Sequence, residues 1–330
     1  MKKQNISKKI LHWYDNNKRQ LPWRRYTSIK QKKYFTLVSE IMLQQTQVKT
    51  VIPYFNNFIL KIPNLKSLSK VKDQKLLKYW EGLGYYSRAR NLKKTAIKII
   101  DVFNGNLPSN EDDLKSLPGI GEYTAGAIMA IAYNKKVIPL DGNVERVLKR
   151  VFNLKKVNEI SKENLHKKKT FFGEANRSSD YAQAIMEIGA LICKPSTPLC
   201  YQCPISENCK SFKKKDFEVI SINKFNKKKF FEVNIFQNNY KKYFLLENQK
   251  FNFLKGMPIF PMNEISKVKF GKHIGKKINI KMSNMDMKIA IKNVKNYPLK
   301  KNGFLIGSNE LSNWTLPSFT KKILNTVKKT

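Results

Sequence analysis

Two carboxyls in this chain stand where acid–base chemistry could be done. Within "FTLVSEIMLQQTQVKTVIPYF", Phe35 to Phe55, Glu40 sits among Leu37, Val38, Ile41 and Leu43, and Gln44, Gln45 and Gln47 follow it. A carboxyl among apolar neighbours loses solvation, its pKa rises, and it can hold a proton near neutrality. In "VIPLDGNVERVLKR" an apolar run ends at Asp141 just before a helical pattern. That is an N-cap position, where backbone N–H groups and the helix dipole favour the ionised carboxylate. One carboxyl that donates a proton and another that stays anionic is the division of labour that cleaves glycosidic bonds. Taken singly, Glu40 also reads as a solvated or paired side chain, and Asp141 as a cap and nothing more.

The four cysteines, Cys193, Cys200, Cys203 and Cys209, all fall in "CKPSTPLCYQCPISENC", a C-x6-C-x2-C-x5-C spacing stiffened by Pro195, Pro198 and Pro204. Four thiolates this close can wrap one metal centre. Four-cysteine zinc sites commonly use two close C-x2-4-C pairs, and only Cys200 and Cys203 form one here, so the spacing favours a [4Fe–4S] cluster over zinc. Two disulfides come third, because the chain carries no secretory signal pattern and reads as intracellular, where thiols stay reduced.

In "LPGIGEYTAGAIMAIAY", Gly119 and Gly121 flank a single hydrophobe at the start of a helical pattern. Such a turn can present backbone N–H groups to a phosphate oxygen without reading any base. An ordinary helix connector has the same look. Lys and Arg outnumber Asp and Glu by 64 to 24, a formal net charge of +40, which predicts attraction to a polyanion. Only eight of those 64 are Arg, so a Lys-rich composition accounts for part of the excess. No apolar run reaches 18 residues, so no membrane partner is expected.

The cysteine spacing resembles the cluster loop of the endonuclease III and MutY branch of helix–hairpin–helix DNA glycosylases, and "LPGIGEYTAGAIMAIAY" resembles that family's hairpin. "SEIMLQQTQV" is similar to the MutY motif almost residue for residue. The resemblance implies an adenine DNA glycosylase of base excision repair that flips adenine out of mispairs with 8-oxoguanine or guanine in double-stranded DNA. Glu40 would then protonate N7 of the adenine, and Asp141 would stabilise the cationic sugar left behind. Gln45 would enter the stack beside the opposing base with Gln44 in support, and Leu43 would line the base pocket. "LPWR" places Trp23 and Arg24 near the extruded base, and "GLGYYSRARN" makes Tyr85 a wedge, with Arg88 and Arg90 on phosphate or structural. "YAQAIMEIGALIC" offers Gln183 to an edge of adenine and Met186 to pack on it. Tyr123 stands where strand-cutting members hold a nucleophilic Lys, so the resemblance implies a monofunctional enzyme; Tyr cannot form a Schiff base. The cluster loop, 193–209, would be mainly structural, with Lys194 and Lys210 beside DNA. A strand-cutting relative and a non-catalytic iron–sulfur lesion sensor are the alternatives; Tyr123 speaks against the first, and Glu40 with Asp141 against the second.

Positioning these groups requires helices, and residues 1–210 read as short helices with polar turns, roughly 6–17, 34–49, 50–59, 73–80, 86–103, 111–115, 122–132, 143–152, 161–172 and 178–192. Residues 211–228 read as a basic linker. Beyond them "FFEVNIFQ", "KKYFLLEN", "KKINIKMS" and "MDMKIAIKNV" alternate like strands, and "TLPSFTKKILNTVKK" reads as a closing helix. The expectation is a mainly α helix–hairpin–helix glycosylase domain, 1–210, followed by a small, shortened α+β domain, 229–330. The latter resembles the Nudix-like lesion-recognition domain of the family without a Nudix box, and Ser283, between Met282 and Asn284, is its best match to the damaged-base contact. A monomer in the bacterial cytoplasm, at the nucleoid, suffices for such work.

Overall fold

The structure, a computed structural model, describes residues 3–219, 227–282, 285–296, 302–307 and 309–328. It divides into two compact units, residues 1–70 with 91–222, and residues 71–90 with 223–330.

The first unit is helical: α1 (Lys3–Asn17), α2 (Ile29–Leu43), α3 (Val48–Lys61), α4 (Leu65–Lys70), the body of α6 (Ser87–Val102), α7 (Glu111–Lys115), α8 (Glu122–Tyr133), α9 (Gly142–Phe152), α10 (Lys162–Lys168), α11 (Ser178–Glu187) and α12 (Lys210–Lys213). Here α2 begins well before the expected boundary because the Ser28 hydroxyl accepts from the Gln31 N–H and caps it. It stops at Leu43, and Gln45 follows in the left-handed region at φ 55°, so the three glutamines stand beyond the helix rather than on it. The run Tyr34–Met42 is buried throughout, and α2 packs on α8, which is itself buried from Thr124 to Ala130. Val144, Val147, Leu148 and Val151 give α9 an apolar stripe that meets Ile185 and Ile188 in one core with Ile10 and Tyr14. Each such side chain, fully buried, stabilises the fold by roughly 1.5–3 kcal/mol. A π-helical turn, Ile188–Ile192, ends α11 and delivers the chain to Cys193.

The second unit holds α5 (Asp73–Tyr79), the first turn of α6, α13 (Lys267–Lys272), α14 (Ser318–Lys328) and two sheets. Strands β1 (Lys227–Ile235), β4 (Met262–Glu264), β5 (Lys277–Met282) and β6 (Met285–Asn293) form one sheet in the order β4-β1-β6-β5, with β1 and β6 parallel and Phe231 opposite Ile289. The short β3 (Pro258–Ile259) and β7 (Gly303–Ile306) flank β2 (Tyr243–Glu247) in the other. Alternation buries Phe231, Val233, Ile235, Met287, Ile289 and Ile291 on one face, against Phe319 and Ile323 of α14. The helical part and the α+β part are thus both present. Their boundary differs from the expected one. Arg150 donates to the Phe217 carbonyl and Lys155 pairs with Asp216, which holds the start of the expected linker on the helical unit. Lys227 already belongs to β1. Residues 71–90 group with the C-terminal unit through bonds from Arg90 and Glu81. Alternation could not reveal β3, β4 and β7, which are only two to four residues long.

Candidate active site and a cysteine-lined pocket

Helices α2, α8, α9 and α11 of the first unit surround a cavity of about 810 Å³, together with the turn Pro22–Arg24. Trp23, Arg24, Glu40, Leu43, Gln44, Gln45, Gly121, Tyr123, Asp141, Gln183 and Met186 all line it. The expected catalytic and base-contacting residues of the helical unit, scattered along its sequence, therefore converge, in a space suited to one base and its sugar.

Glu40 lies at the floor, 6% exposed, and the Tyr123 hydroxyl donates to its Oε2 at 3.1 Å. Burial pushes its carboxyl up to about 7, with the bond from Tyr123 pulling the other way and the Asp141 charge adding to the rise. Tyr123 is half-buried, and desolvation of its hydroxyl and the two neighbouring carboxyls hold it far above the ordinary phenol range, so it stays a neutral donor. It does more than occupy the place of an amine: it ties α8 to the acid on α2.

Asp141 caps α9 as expected, with Oδ1 accepting from the Val144 N–H at 2.7 Å and Oδ2 from Asn143 Nδ2 at 2.8 Å. The expectation that capping dominates its ionisation is corrected. Burial outweighs the donors and moves its carboxyl above the ordinary aspartate value. These two N–H donors therefore support an anion at a site that would otherwise disfavour it. Behind it, Arg146 bonds Asn143 Oδ1 at 2.8 Å, the Gly189 carbonyl at 2.8 Å and the Cys193 carbonyl at 2.7 Å. A Cβ on Gly189 would lie 2.5 Å from Cβ of Asn143, so only glycine lets the π-turn approach this cap.

The wall opposite is a charged network that the sequence did not announce. Glu187, 1% exposed, accepts from Arg24 Nη1 at 2.5 Å and from the Arg19 N–H at 3.2 Å. Arg24 also donates from Nε to Gln183 Oε1 at 2.6 Å, and Gln183 Nε2 donates to the Ser179 carbonyl at 3.1 Å. Guanidinium has no acceptor, so it fixes the amide orientation and leaves Gln183 one N–H and one oxygen lone pair beyond these bonds. The expected free amide edge is thus half engaged. Gln183, Met186 and Glu187 stand at i, i+3 and i+4 on α11, a spacing that could have flagged Glu187. Trp23 packs edge-on against Phe55 at 5.4 Å, and Met186 Sδ lies 3.7 Å from the Tyr123 hydroxyl. Gln44 is tied to the hairpin, donating to the Gly119 carbonyl and Thr124 Oγ1 at 3.2 Å each, whereas Gln45 is exposed.

Gly119 needs its glycine, at φ +81° with Asn91 Cβ 3.0 Å from any added Cβ. Gly121 does not; it is the N-cap of α8 with no side-chain cap, which leaves the first N–H groups of that helix open to an anion. Tyr85 belongs to the second unit, 39% exposed and left-handed at φ 47°. Arg88 is buried and bonds the Leu83 and Gly84 carbonyls, so it is structural rather than a phosphate contact. Ser283 and Asn284 lie outside the described residues.

Cys193, Cys200, Cys203 and Cys209 all line a second, mostly apolar pocket with Val147, Ile188 and Ile205. Arg150 of α9 grips the loop, donating to the carbonyls of Lys194 at 2.6 Å and Pro195 at 2.7 Å and lying 3.4 Å from Cys193 Sγ. Burial raises the Cys203 thiol to about 12, with the other three cysteines adding to the rise. Four thiolates can share this space only around a strongly cationic centre. Among the described residues no three His, Cys, Asp or Glu side chains form a single-ion site.

Residues 38–170 match the HhH-GPD superfamily of base excision DNA repair proteins. The chain is 42% identical over 216 residues to the adenine DNA glycosylase of Buchnera aphidicola subsp. Baizongia pistaciae, a match covering 65% of this chain and 60% of that protein. It is 39% identical over 216 residues to the Homo sapiens adenine DNA glycosylase, covering 63% of this chain and 40% of the human one. The matched stretch therefore spans less than two thirds of these relatives. Among solved structures, a thermostable thymine-DNA glycosylase superposes with a TM-score of 0.56 at 27% identity, over 64% of this chain and 97% of its own. An endonuclease III–DNA complex superposes with a TM-score of 0.52 at 23% identity, over 65% of this chain and 98% of its own, a likeness of fold.

Proposed function

We infer that this chain, whose residues 38–170 form an HhH-GPD domain, is a MutY-type adenine DNA glycosylase that hydrolyses the bond between adenine and deoxyribose in mispaired DNA. The observation that carries the reading is one cavity holding a carboxyl poised to donate a proton near neutrality and a second carboxyl supported as an anion.

Adenine extruded from the duplex enters the cavity, at an unstacking cost of a few kcal/mol that is smallest for a mispaired base. Glu40, protonated and oriented by Tyr123, donates to N7 and turns adenine into a better leaving group. The deoxyribose acquires cationic character as the bond stretches, and the Asp141 carboxylate, fixed by Val144 and Asn143, stabilises that charge without reorganising. Water then completes hydrolysis to an abasic site. Tyr123 offers no amine for a Schiff base, so strand cleavage is not part of the reaction. Gly119, Gly121 and the open N-terminus of α8 hold the DNA backbone, and the Lys excess supplies the long-range attraction. The opposing base is 8-oxoguanine or guanine, read by Gln45 and by the C-terminal unit, with Ser283 as its contact to the damaged base.

The cysteine pocket fits a [4Fe–4S] cluster held by Cys193, Cys200, Cys203 and Cys209. Bound there, the group supplies structure, cross-linking the loop that Arg150 and Arg146 fasten to α9.

Single-turnover excision from a duplex carrying adenine opposite 8-oxoguanine tests the reading. Glu40→Gln and Asp141→Asn should each slow adenine release by about 100-fold or more. Equal release by the native protein and both variants would remove the mechanism.

A further inference from the structure

The segment that carries Tyr85 is gripped at both ends by the C-terminal part of the chain. Ahead of it, Glu81 accepts from Lys321 Nζ at 2.7 Å and from the Leu316 N–H at 3.3 Å. Behind it, the two Nη atoms of Arg90 donate to successive carbonyls, Lys255 at 2.7 Å and Gly256 at 2.8 Å, and Nη2 also lies 3.4 Å from Met257 Sδ. Gly256 is left-handed at φ +68°, and a Cβ there would lie 3.0 Å from Arg90 Nη2, so the carbonyls approach the guanidinium as closely as they do only with glycine.

Between these anchors the loop is held in an uncommon shape. Gly82, Gly84 and Tyr85 all have positive φ, and for Tyr85 that conformation carries a strain of roughly 1–2 kcal/mol. The Gly84 carbonyl, one peptide before Tyr85, accepts from Trp80 Nε1 at 3.1 Å and Arg88 Nη2 at 3.2 Å. The Arg88 guanidinium also lies 5.4 Å from the centre of the Tyr85 ring and 5.5 Å from that of Trp80. Arg88 and Arg90 share the first turn of α6, whose N–H groups bond back to the Tyr85 and Tyr86 carbonyls. Fixing Arg90 therefore fixes the turn, the turn fixes Arg88, and Arg88 fixes the peptide and ring of Tyr85.

We propose that Arg90 is a positioning residue through which the C-terminal unit holds Tyr85 in its exposed, left-handed conformation, so that the part of the protein assigned to reading the lesion also sets the wedge. This rests on the reading of Tyr85 as a residue that enters the DNA stack. A pre-set ring does not have to be ordered on binding, which removes an entropic cost from mispair recognition.

Two variants break the contact from opposite sides, Arg90→Gln and Gly256→Ala, with Arg90→Lys, which keeps the charge and loses the fork, as a milder third should either fail to fold. Amide hydrogen exchange in the free protein should quicken about 10-fold at residues 82–87 in both while α8 stays unchanged. Affinity for a duplex with a non-cleavable adenine analogue opposite 8-oxoguanine should drop in Arg90→Gln and in Tyr85→Ala, and the double variant should bind no more weakly than Tyr85→Ala. Unaltered exchange at 82–87, or losses that add in the double variant, would overturn the proposal. Native-like binding by Tyr85→Ala alone would remove the wedge reading and this inference with it, and that single variant tells the two failures apart.

Discussion

Replacing Glu40 by Gln should stabilise the protein in a pH-dependent way that the burial of this carboxyl dictates. In the unfolded chain its pKa is 4.5, and in the folded protein burial lifts it to about 7. At about 1.4 kcal/mol for each tenfold in acidity, the ionised form costs the fold about 3 kcal/mol. The sign follows from proton binding. Below pH 4.5 the carboxyl is protonated in both states and no penalty arises; as pH rises from 4.5 through 7 the unfolded state ionises first, and the stability contributed by the neutral group is lost. Glutamine keeps the shape and never ionises. The melting temperature of Glu40→Gln minus that of the native protein should therefore be small and steady below pH 4.5, climb between pH 4.5 and 7, and level off roughly 5–10 °C higher above pH 7.5. The amide oxygen of glutamine can still accept from Tyr123, so any offset from that bond is small beside the rise. Scanning calorimetry at half-unit pH intervals measures the curve. A difference that is flat from pH 4 to 8 would refute a buried, proton-holding Glu40, and with it the acid of the proposed reaction. The same ionisation predicts an excision rate constant that falls tenfold per unit above about pH 7, and the need for an anionic Asp141, whose pKa burial raises, predicts a second fall at the acid end.

The bond from Tyr123 lowers the Glu40 pKa and the Asp141 charge raises it, so Tyr123→Phe should move the Glu40 midpoint to higher pH and Asp141→Asn to lower pH, as followed by carbon-13 NMR of the labelled carboxyl. Gly189→Ala, which would drive a methyl into Asn143, should cost about 1–3 kcal/mol in denaturant unfolding and slow excision by loosening the Asp141 cap. Arg150→Met keeps the bulk of the side chain but drops its bonds to Lys194, Pro195 and Phe217, and should lower the iron content per purified chain.

Residue types and short spacings made the acid, the cap, the hairpin and the thiol loop legible before any coordinates, because each is a local pattern: a carboxyl in an apolar run, an aspartate before a helix, glycines flanking one hydrophobe, four cysteines within a short loop. Helical periodicity likewise marked most of the first unit, since amphipathic stripes repeat along the chain. What remained hidden depends on residues far apart. Glu187 became a wall of the cavity only when α11 met Arg19 and Arg24 across the unit, and the orientation of Gln183 followed from that ion pair. The balance that raises the Asp141 pKa is set by burial, which no spacing encodes. Residues 71–90, where the sequence marked Tyr85, Arg88 and Arg90 but not their distant partners, joined the C-terminal unit because Arg90 and Glu81 found carbonyls and a lysine more than 160 positions away. Sequence by itself determined which groups could do the chemistry; tertiary structure decided their charge and company, since desolvation and long-range pairing exist only once the chain has closed around them.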